Sequence, residues 1–250
     1  MTTRADGTQA GANVLINYTS DSSASKAEEL VKKMQSHGVK AHAIKADMAS
    51  KDIGQVFLKE ALDFFGKDTK IDILCHNAGV ARNAPLQDYD LDDALNQYAV
   101  NVHGPTLLTQ ALLPHIRTGG GGRIIFLSSV SARGGYPQQT VYGGTKAAVE
   151  HLVRCWNNEF GKEKKICVTA VTPGPINTGM RLFKYSDGKT TDPSADMWQS
   201  VSPEFREQIV KTTPVAEPEE ISDVVLFLAS DESRWITGGA VSTNGGLLHY

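Results

Sequence analysis

The sequence predicts an α/β protein whose parallel sheet is covered by helices on both faces. Short apolar runs alternate with segments of helical periodicity from residue 13 to residue 243, and such alternation is typical of a parallel sheet with crossover helices. The chain has 250 residues, a length that suits one domain of this class. No internal repeat or linker divides it, so we predict a single domain over residues 1–250.

The apolar patterns place strands and helices in turn. The predicted strands are 13–18, 41–46, 71–76, 123–128, 166–171 and 239–243. Apolar residues at helical spacing run from Ala27 to Met34 and from Ile53 to Phe64, and a glycine closes each of these two helices. Further helices are predicted near 90–101, 104–117 and 140–160, and Pro218 opens the last one.

Two stretches break this alternation. Residues 1–12 contain no apolar run long enough for a buried strand, so we predict them to be irregular or disordered. Residues 179–216 carry Phe183, Tyr185 and Trp198 among polar residues and prolines. A long irregular segment in a compact domain is often a binding loop. The alternative is a surface loop whose aromatic side chains pack on the body of the protein.

Composition and charge exclude several classes of function. The formal net charge of −3 gives no electrostatic reason to bind nucleic acid or an anionic membrane. No apolar stretch is long enough to span a membrane, and residues 1–12 lack the apolar core of a signal peptide. Cys75, Cys155 and Cys167 lie in apolar segments, and no cysteine or histidine spacing suggests a metal site. We therefore expect a cytoplasmic protein with reduced, buried cysteines.

The residues best suited to chemistry are Ser129, Tyr142 and Lys146. Tyr142 and Lys146 are four residues apart in a predicted helix, so they lie on one face. A neighbouring ammonium favours the phenolate and would lower the Tyr142 pKa from its usual value of about 10. Such a hydroxyl could exchange a proton in carbonyl–alcohol chemistry, and Ser129, after a strand, could donate a hydrogen bond to a carbonyl oxygen. By itself, the Tyr-x-x-x-Lys pair also fits an ordinary exposed helix face.

These residues and several other segments resemble the short-chain dehydrogenase/reductase family. The further matches, in family order, are His76-Asn77-Ala78-Gly79 after a strand, Asn101 in a helix, Pro173-Gly174 after a strand, Ile176, Thr178, and the closing segments Ile236-Thr237-Gly238-Gly239 and Asn244-Gly245-Gly246. Together they extend from about Gly11 to Leu248. The segments at 11–14 and 244–246 also resemble fungal reductases of polyketide and other secondary metabolism.

The resemblance implies a Rossmann-type doubly wound sheet and a role for each matching residue. Ser129 would polarise the substrate carbonyl, Tyr142 would supply the proton, Lys146 would hold the nicotinamide ribose, and Asn101 would hold a water that links Lys146 to solvent. The cofactor-binding residues would be Asp47, Asn77, Gly79, Tyr142, Lys146, Pro173, Gly174, Ile176 and Thr178. Asp47 taken alone also fits a helix cap. Residues 179–216 would be the substrate loop, suited to an apolar or aromatic carbonyl, and the helices near 104–117 and 140–160 would pair copies into a homodimer or homotetramer.

One part of the family pattern is not found in this sequence. The family opens with a strand, a Thr-Gly-x-x-x-Gly-x-Gly loop and a helix, whereas strand 13–18 matches the second family strand. We therefore expect a sheet that lacks its first strand, either closed up in the order 3-2-4-5-6-7 of family numbering or open at its centre. The helix N-terminus that usually faces the pyrophosphate would be missing as well. The explanation we favour is a mis-assigned start of the chain.

Two classes of function remain open. The catalytic matches favour an oxidoreductase that reduces a carbonyl or oxidises an alcohol of a small metabolite. Residues 17–20, at the end of the first predicted strand, carry no carboxylate that would repel a 2′-phosphate, so NADP (NADPH) is favoured over NAD, although Asp21 is close. The missing glycine loop favours instead a family-derived protein with impaired dinucleotide binding, which would act as a non-redox catalyst or an inactive partner subunit.

Overall fold

The computed structural model describes residues 11–177 and 215–249. In these residues six strands form two sheets: β1 (Val14–Tyr18), β2 (Ala41–Lys45), β3 (Ile73–His76), β4 (Gly122–Leu127), β5 (Ile166–Pro173) and β6 (Ala240–Thr243). β1 pairs with β2, and the other sheet has the order β3-β4-β5-β6. All pairings are parallel, which confirms the predicted class of sheet.

The longer helices follow the strands as the periodicity predicts. They are α1 (Ala24–Gln35), α2 (Ile53–Phe65), α3 (Leu91–Tyr98), α4 (Gly104–Leu112), α5 (Thr140–Trp156) and α6 (Pro218–Ala229). A π-helical turn, Ala99–His103, joins α3 directly to α4, so the helices predicted near 90–101 and 104–117 form one continuous run. Across the described ranges, no helix combines the length and apolarity that a membrane crossing requires.

The hydrophobic core lies on both faces of β4 and β5. On one face, Ile124 and Val168 of the sheet pack with Val149 and Val153 of α5, and α2 and α4 complete this layer. On the other face, Ile125 and Val171 of the sheet form a second cluster with Ile221 and Leu228 of α6. Because both faces are covered, β5 is buried along its whole length, as expected for a doubly wound sheet.

The centre of the sheet is open in the described residues. β1 and β3 are not paired with each other, so the structure has the central gap and not the closed order. Leu74 and His76 of β3 are buried, whereas Ile73 and Cys75 on the opposite face are exposed. The prediction that Cys75 is buried is therefore wrong, because its side chain lies on the face of β3 that the described helices leave uncovered. Cys155 is only partly buried, Cys167 is buried, and all three thiols are free.

Three predictions fall wholly or mainly outside the described residues. They concern the irregular N-terminal stretch 1–12, Thr178, and the substrate loop 179–216, of which only residues 215 and 216 are described.

Candidate active site

Polar segments meet at the edge of the sheet where β3, β4 and β5 end. Asn77 follows β3, Ser129 lies two residues after β4, and Gly174 follows β5. Ser129 caps a short 3-10 turn, Val130–Ala132, and its Oγ accepts a hydrogen bond from the Ser131 amide at 3.1 Å. Ligands of open α/β sheets bind at this carboxyl-terminal edge, so the sequence-predicted residues lie in the place where a ligand is expected.

Ser129, Tyr142 and Lys146 come together at this edge. The side chain of Ser129 hydrogen-bonds with the Tyr142 phenol. The Lys146 ammonium lies 5.7 Å from the centroid of the Tyr142 ring and donates to the Leu127 carbonyl oxygen at 2.7 Å. Lys146 is only 6% exposed, so its charge is largely removed from water. The structure thus groups a hydroxyl, a phenol and an amine as the spacing predicts.

The pKa values of this group differ from the prediction. Burial raises the pKa of Tyr142, and the hydrogen bond from Ser129 acts in the opposite direction. Burial also lowers the pKa of Lys146 to about 8. The expected fall in the Tyr142 pKa is therefore wrong for the protein without cofactor, because burial disfavours the phenolate and the Lys146 ammonium donates to the Leu127 carbonyl. The site holds a protonated phenol, which is a proton donor.

Asn101 lies in the π-helical turn between α3 and α4, and its amide group joins two parts of the site. Nδ2 donates to the Val80 carbonyl at 2.8 Å and to Thr145 Oγ1 at 3.0 Å, while Oδ1 accepts from the Val80 amide at 2.9 Å. Thr145 Oγ1 in turn donates to the Tyr142 carbonyl at 2.8 Å. The segment after β3 is thereby fixed to the helix that carries Tyr142. The predicted water on Asn101 stays a prediction.

Two glycines keep the backbone close to the groups that surround the expected nicotinamide position. A Cβ added to Gly79 would lie 3.4 Å from Asn101 Oδ1 and 3.5 Å from Lys146 Nζ. A Cβ added to Gly174 would lie 3.0 Å from the Asn244 carbonyl oxygen. A side chain at Gly79 would fill the space beside Lys146, so this cradle fits the flat half of a dinucleotide.

The remaining predicted cofactor residues lie around the same edge or beyond the gap. Asn77 is exposed directly after β3, Pro173 ends β5, and Ile176 forms an isolated parallel bridge with Ala216. Asp47 is exposed after β2, and its Oδ1 accepts from the Ala49 amide at 2.9 Å. This contact lies in a turn, and the next helix, α2, has Asp52 as its N-cap, so the alternative of a helix cap at Asp47 is wrong. The exposed carboxylate is accessible to a ligand.

The end of β1 carries no carboxylate that is directed into the gap. The Asn17 Nδ2 donates to the Ala46 carbonyl at 2.9 Å, which fixes the end of β1 to β2. Asp21, the nearest acidic residue, forms an exposed ion pair with Lys45 at 2.6 Å. In the described residues, the carboxylate nearest the end of β1 is therefore paired with a cation.

The sequence analysis did not identify two buried polar residues that contact the site residues or their neighbours, Thr145 and Glu150. Thr145 is fully buried between Asn101 and Tyr142. Glu150 is 4% exposed and accepts hydrogen bonds from Arg133 and Ser128. The signal for Glu150 was available, because it stands four residues after Lys146 on the apolar face of α5. A carboxylate on a buried helix face requires partners.

The chain belongs to the short-chain dehydrogenase/reductase family. A family profile described as enoyl-(acyl carrier protein) reductase matches residues 5–248. The chain is 34% identical over 242 residues to the short-chain dehydrogenase/reductase FrzI of Cladobotryum sp, covering 95% of this chain and 87% of FrzI. It is 35% identical to L-xylo-3-hexulose reductase of Hypocrea jecorina, with 95% and 88% coverage. It is 34% identical to versicolorin reductase stcU of Emericella nidulans, with 95% and 87% coverage.

Solved structures of the same fold include complexes with either nicotinamide cofactor. A blue fluorescent protein from a metagenomic library, in complex with NADPH, has a TM-score of 0.79 and 29% identity, covering 95% of this chain and 88% of that one. A 7α-hydroxysteroid dehydrogenase complexed with NADH and 7-oxo glycochenodeoxycholic acid has a TM-score of 0.78 and 29% identity, with 96% and 86% coverage. The chain is thus an oxidoreductase that acts on an alcohol or carbonyl group with a nicotinamide cofactor.

Proposed function

We propose that the protein is an NADPH-dependent reductase of a small, apolar or aromatic carbonyl metabolite, in secondary metabolism. The observation that carries this proposal is the grouping of the Tyr142 phenol with the Ser129 hydroxyl and the Lys146 amine, in a place where burial raises the pKa of the phenol. The similarity to versicolorin reductase supports a secondary metabolite as substrate. The similarity to L-xylo-3-hexulose reductase supports reduction of a carbonyl group as the shared chemistry.

The proposed catalytic roles follow from the geometry of the three side chains. NADPH, when bound, supplies the hydride to the carbonyl carbon. Ser129 Oγ donates a hydrogen bond to the carbonyl oxygen and so stabilises the negative charge that develops there. Tyr142 gives its proton to that oxygen, which completes the alcohol. The Lys146 ammonium stabilises the phenolate left behind, because a nearby positive charge favours the ionised phenol.

The cofactor-binding roles divide between the two sides of the gap. We propose that Asn77, Gly79, Pro173, Gly174 and Ile176 hold the nicotinamide half together with Tyr142 and Lys146. Thr178, outside the described residues, belongs to the same set. Asp47 is proposed to contact the adenine half, since its exposed carboxylate follows β2 on the far side of the gap.

Turnover of the chain with NADPH tests the proposed roles. Aromatic ketones, aliphatic ketones and ketose sugars are compared as substrates, and oxidation of NADPH is followed by its absorbance. Loss of the phenol in Tyr142→Phe should lower kcat by about 100-fold or more, since a positioned general acid contributes about that factor. The matched control is Tyr89→Phe, which removes an exposed phenol. Unchanged turnover in Tyr142→Phe would exclude the proposed proton donor.

The choice of NADPH over NADH is proposed from the ion pair of Asp21 with Lys45. Calorimetric titration with each cofactor should show tighter binding of NADPH. The variant Lys45→Gln should reduce this preference, because it leaves the Asp21 carboxylate without its cation and removes a charge that attracts phosphate. Lys51→Gln, at another exposed lysine, is the control. Equal affinity for the two cofactors in the unaltered protein would contradict the proposal.

The lack of pairing between β1 and β3 in the described part of the chain favours a second candidate, a family-derived protein with impaired dinucleotide binding. The pyrophosphate normally receives several charge-assisted hydrogen bonds from a glycine loop and helix N-terminus. Each contributes about 1.5–3 kcal/mol, so the loss of two would weaken binding by roughly 100-fold or more, at tenfold per 1.4 kcal/mol. A polypeptide with a family strand–loop–helix unit placed before residue 11 is the comparison. If it binds NADPH no more tightly than residues 1–250, the second candidate is wrong.

A further inference from the structure

We infer that Glu150 is a positioning residue, whose carboxylate fixes the segment that carries Ser129 against the helix that carries Tyr142 and Lys146. The segment is Ser128–Arg133, and we name it the Ser129 segment. The inference rests on the proposed roles of Ser129 and Tyr142, and it adds a residue that acts through them without touching the reacting atoms.

The two oxygens of the Glu150 carboxylate contact the two ends of the Ser129 segment. Oε2 accepts from Arg133 Nε at 2.7 Å, and Oε1 accepts from Ser128 Oγ at 3.3 Å. The Glu150 side chain is 5% exposed and that of Arg133 is 33% exposed. Ser128 precedes Ser129 in the chain, and Arg133 follows the 3-10 turn that Ser129 caps. A single carboxylate thus fixes the segment on both sides of its functional residue.

The Ser129 segment makes further contacts with α5 besides those of Glu150 and Tyr142. Ser128 Oγ also lies 3.4 Å from the Lys146 carbonyl oxygen, and Gly143 packs against the Ser131 carbonyl, where an added Cβ would come within 2.8 Å. These contacts are a weak hydrogen bond and a van der Waals approach. The Arg133–Glu150 pair is the charge-assisted contact, and such bonds are about twice as strong as neutral ones.

The position of the segment determines the geometry of the catalytic group. Ser129 is on the segment, whereas Tyr142, Lys146 and Glu150 are on successive turns of α5. The hydrogen bond between Ser129 and Tyr142 therefore depends on how the segment is held against the helix. Neutral glutamine has the shape of glutamate but presents an amide NH₂ group to one of its two donors. Glu150→Gln should release one end of the segment and leave the helix unchanged.

The first test is kinetic and uses Glu150→Gln in two backgrounds. A displacement of about 1 Å in an active site can cost about 100-fold, so we expect kcat to fall about 10- to 100-fold with the Kd for NADPH unchanged. In the Ser129→Ala background, Glu150→Gln should have little further effect on kcat, because the group that it positions is already absent. Equal losses in the two backgrounds would overturn the inference and leave Glu150 a structural residue only.

The second test needs no turnover, so it separates this inference from the proposed function. Tyrosinate formation is titrated by absorbance, and the titration of Tyr142→Phe is subtracted to isolate Tyr142. The Ser129 hydrogen bond holds the pKa of Tyr142 below the value that burial alone would give, so Glu150→Gln should raise the Tyr142 pKa. An unchanged Tyr142 pKa would overturn the inference even if the protein reduces carbonyl compounds.

Two further variants serve as controls. Asp231→Asn neutralises the acidic partner of Arg123, an ion pair at 3.3 Å near the amino end of β4, and it should change neither kcat nor the Tyr142 pKa. Arg133→Gln removes the other partner of Glu150 at a less buried position, so it remains usable if Glu150→Gln does not fold. Like Glu150→Gln, it should raise the Tyr142 pKa. Arg133→Lys keeps a cation beside Glu150 and should leave the Tyr142 pKa close to that of the unaltered protein. Failure of Arg133→Gln to move the pKa would also count against the inference.

Discussion

Lys146 is predicted to lower the stability of the protein at neutral pH, so its replacement by methionine should stabilise the fold. Burial lowers the pKa of Lys146 from 10.5 to about 8, which means that the folded state disfavours the charged amine. At 1.36 kcal/mol per pKa unit, this difference corresponds to about 3 kcal/mol. Methionine has a similar length and carries no charge, so Lys146→Met removes this cost.

Part of the gain is offset by a lost hydrogen bond. Lys146 Nζ donates to the Leu127 carbonyl at 2.7 Å, and the loss of a typical hydrogen bond costs about 1 kcal/mol. The net expectation is therefore a gain of about 2 kcal/mol in the free energy of unfolding at pH 7. For a chain of this size, that gain should raise the Tm by about 4–8 °C. The same variant should have almost no reductase activity.

The pH dependence of this gain provides a sharper test. The folded pKa of Lys146 lies below its unfolded pKa, so between pH 8 and pH 10.5 the unfolded chain binds more protons and the stability of the unaltered protein rises with pH. The advantage of Lys146→Met should be complete below pH 8 and shrink as the pH approaches 10.5.

Urea unfolding at a series of pH values measures this dependence directly. Lys162→Met, at an exposed lysine, is the control and should change stability by less than about 0.5 kcal/mol. If Lys146→Met is less stable than the unaltered protein at pH 7, or if the difference does not vary with pH, the argument from burial is refuted.

Three further predictions concern other parts of the structure. Burial lowers the pKa of His76 to about 3, so below the usual histidine pKa the folded state binds fewer protons than the unfolded state. The free energy of unfolding should therefore fall by about 2 kcal/mol between pH 7 and pH 5. Urea titrations should show a smaller fall in His76→Leu. Gly143→Ala places a Cβ 2.8 Å from a backbone carbonyl and should lower both Tm and kcat, whereas the Cβ of Gly144→Ala meets the Tyr98 hydroxyl at 2.9 Å. The double variant Gly144→Ala with Tyr98→Phe removes that hydroxyl and should gain up to about 1 kcal/mol of stability from helix propensity. Equal losses of Tm in Gly143→Ala and in this double variant would contradict the steric argument. Light scattering at micromolar concentration should show a homodimer or homotetramer that pairs through α4 and α5, and a monomer would count against this association.

The sequence predicted the strands and helices well because each depends on local periodicity. β5 is a mainly apolar run, and α5 has apolar residues at helical spacing, so the positions of both could be predicted without tertiary information. The spacing of Tyr142 and Lys146 also fixed their common face in advance. The meeting of Ser129 with this pair depends on how β4 and α5 pack, and the family resemblance supplied that step.

The properties that the sequence did not predict depend on burial and on distant partners. The pKa of Tyr142 was expected to fall because only its neighbour Lys146 was considered, but burial acts more strongly and in the opposite direction. The exposure of Cys75 could not be read from an apolar strand, because it results from what covers that face of β3. The Ser128 and Arg133 contacts of Glu150 join residues 22 and 17 positions apart in the chain, beyond the reach of any local pattern.

Helix α5 brings the chemical and the energetic arguments together. Tyr142, Lys146 and Glu150 occupy successive turns on a helix face that also carries Val149 and Val153, both 1% exposed in the core. The charged Lys146 on this apolar face costs stability, because burial disfavours charged forms. Lys146 and Glu150 are held by hydrogen bonds at the carboxyl end of β4, where the substrate carbonyl is proposed to bind. The same burial that makes Lys146 destabilising keeps the Tyr142 phenol protonated, so the loss of stability and the capacity to donate a proton have one physical cause.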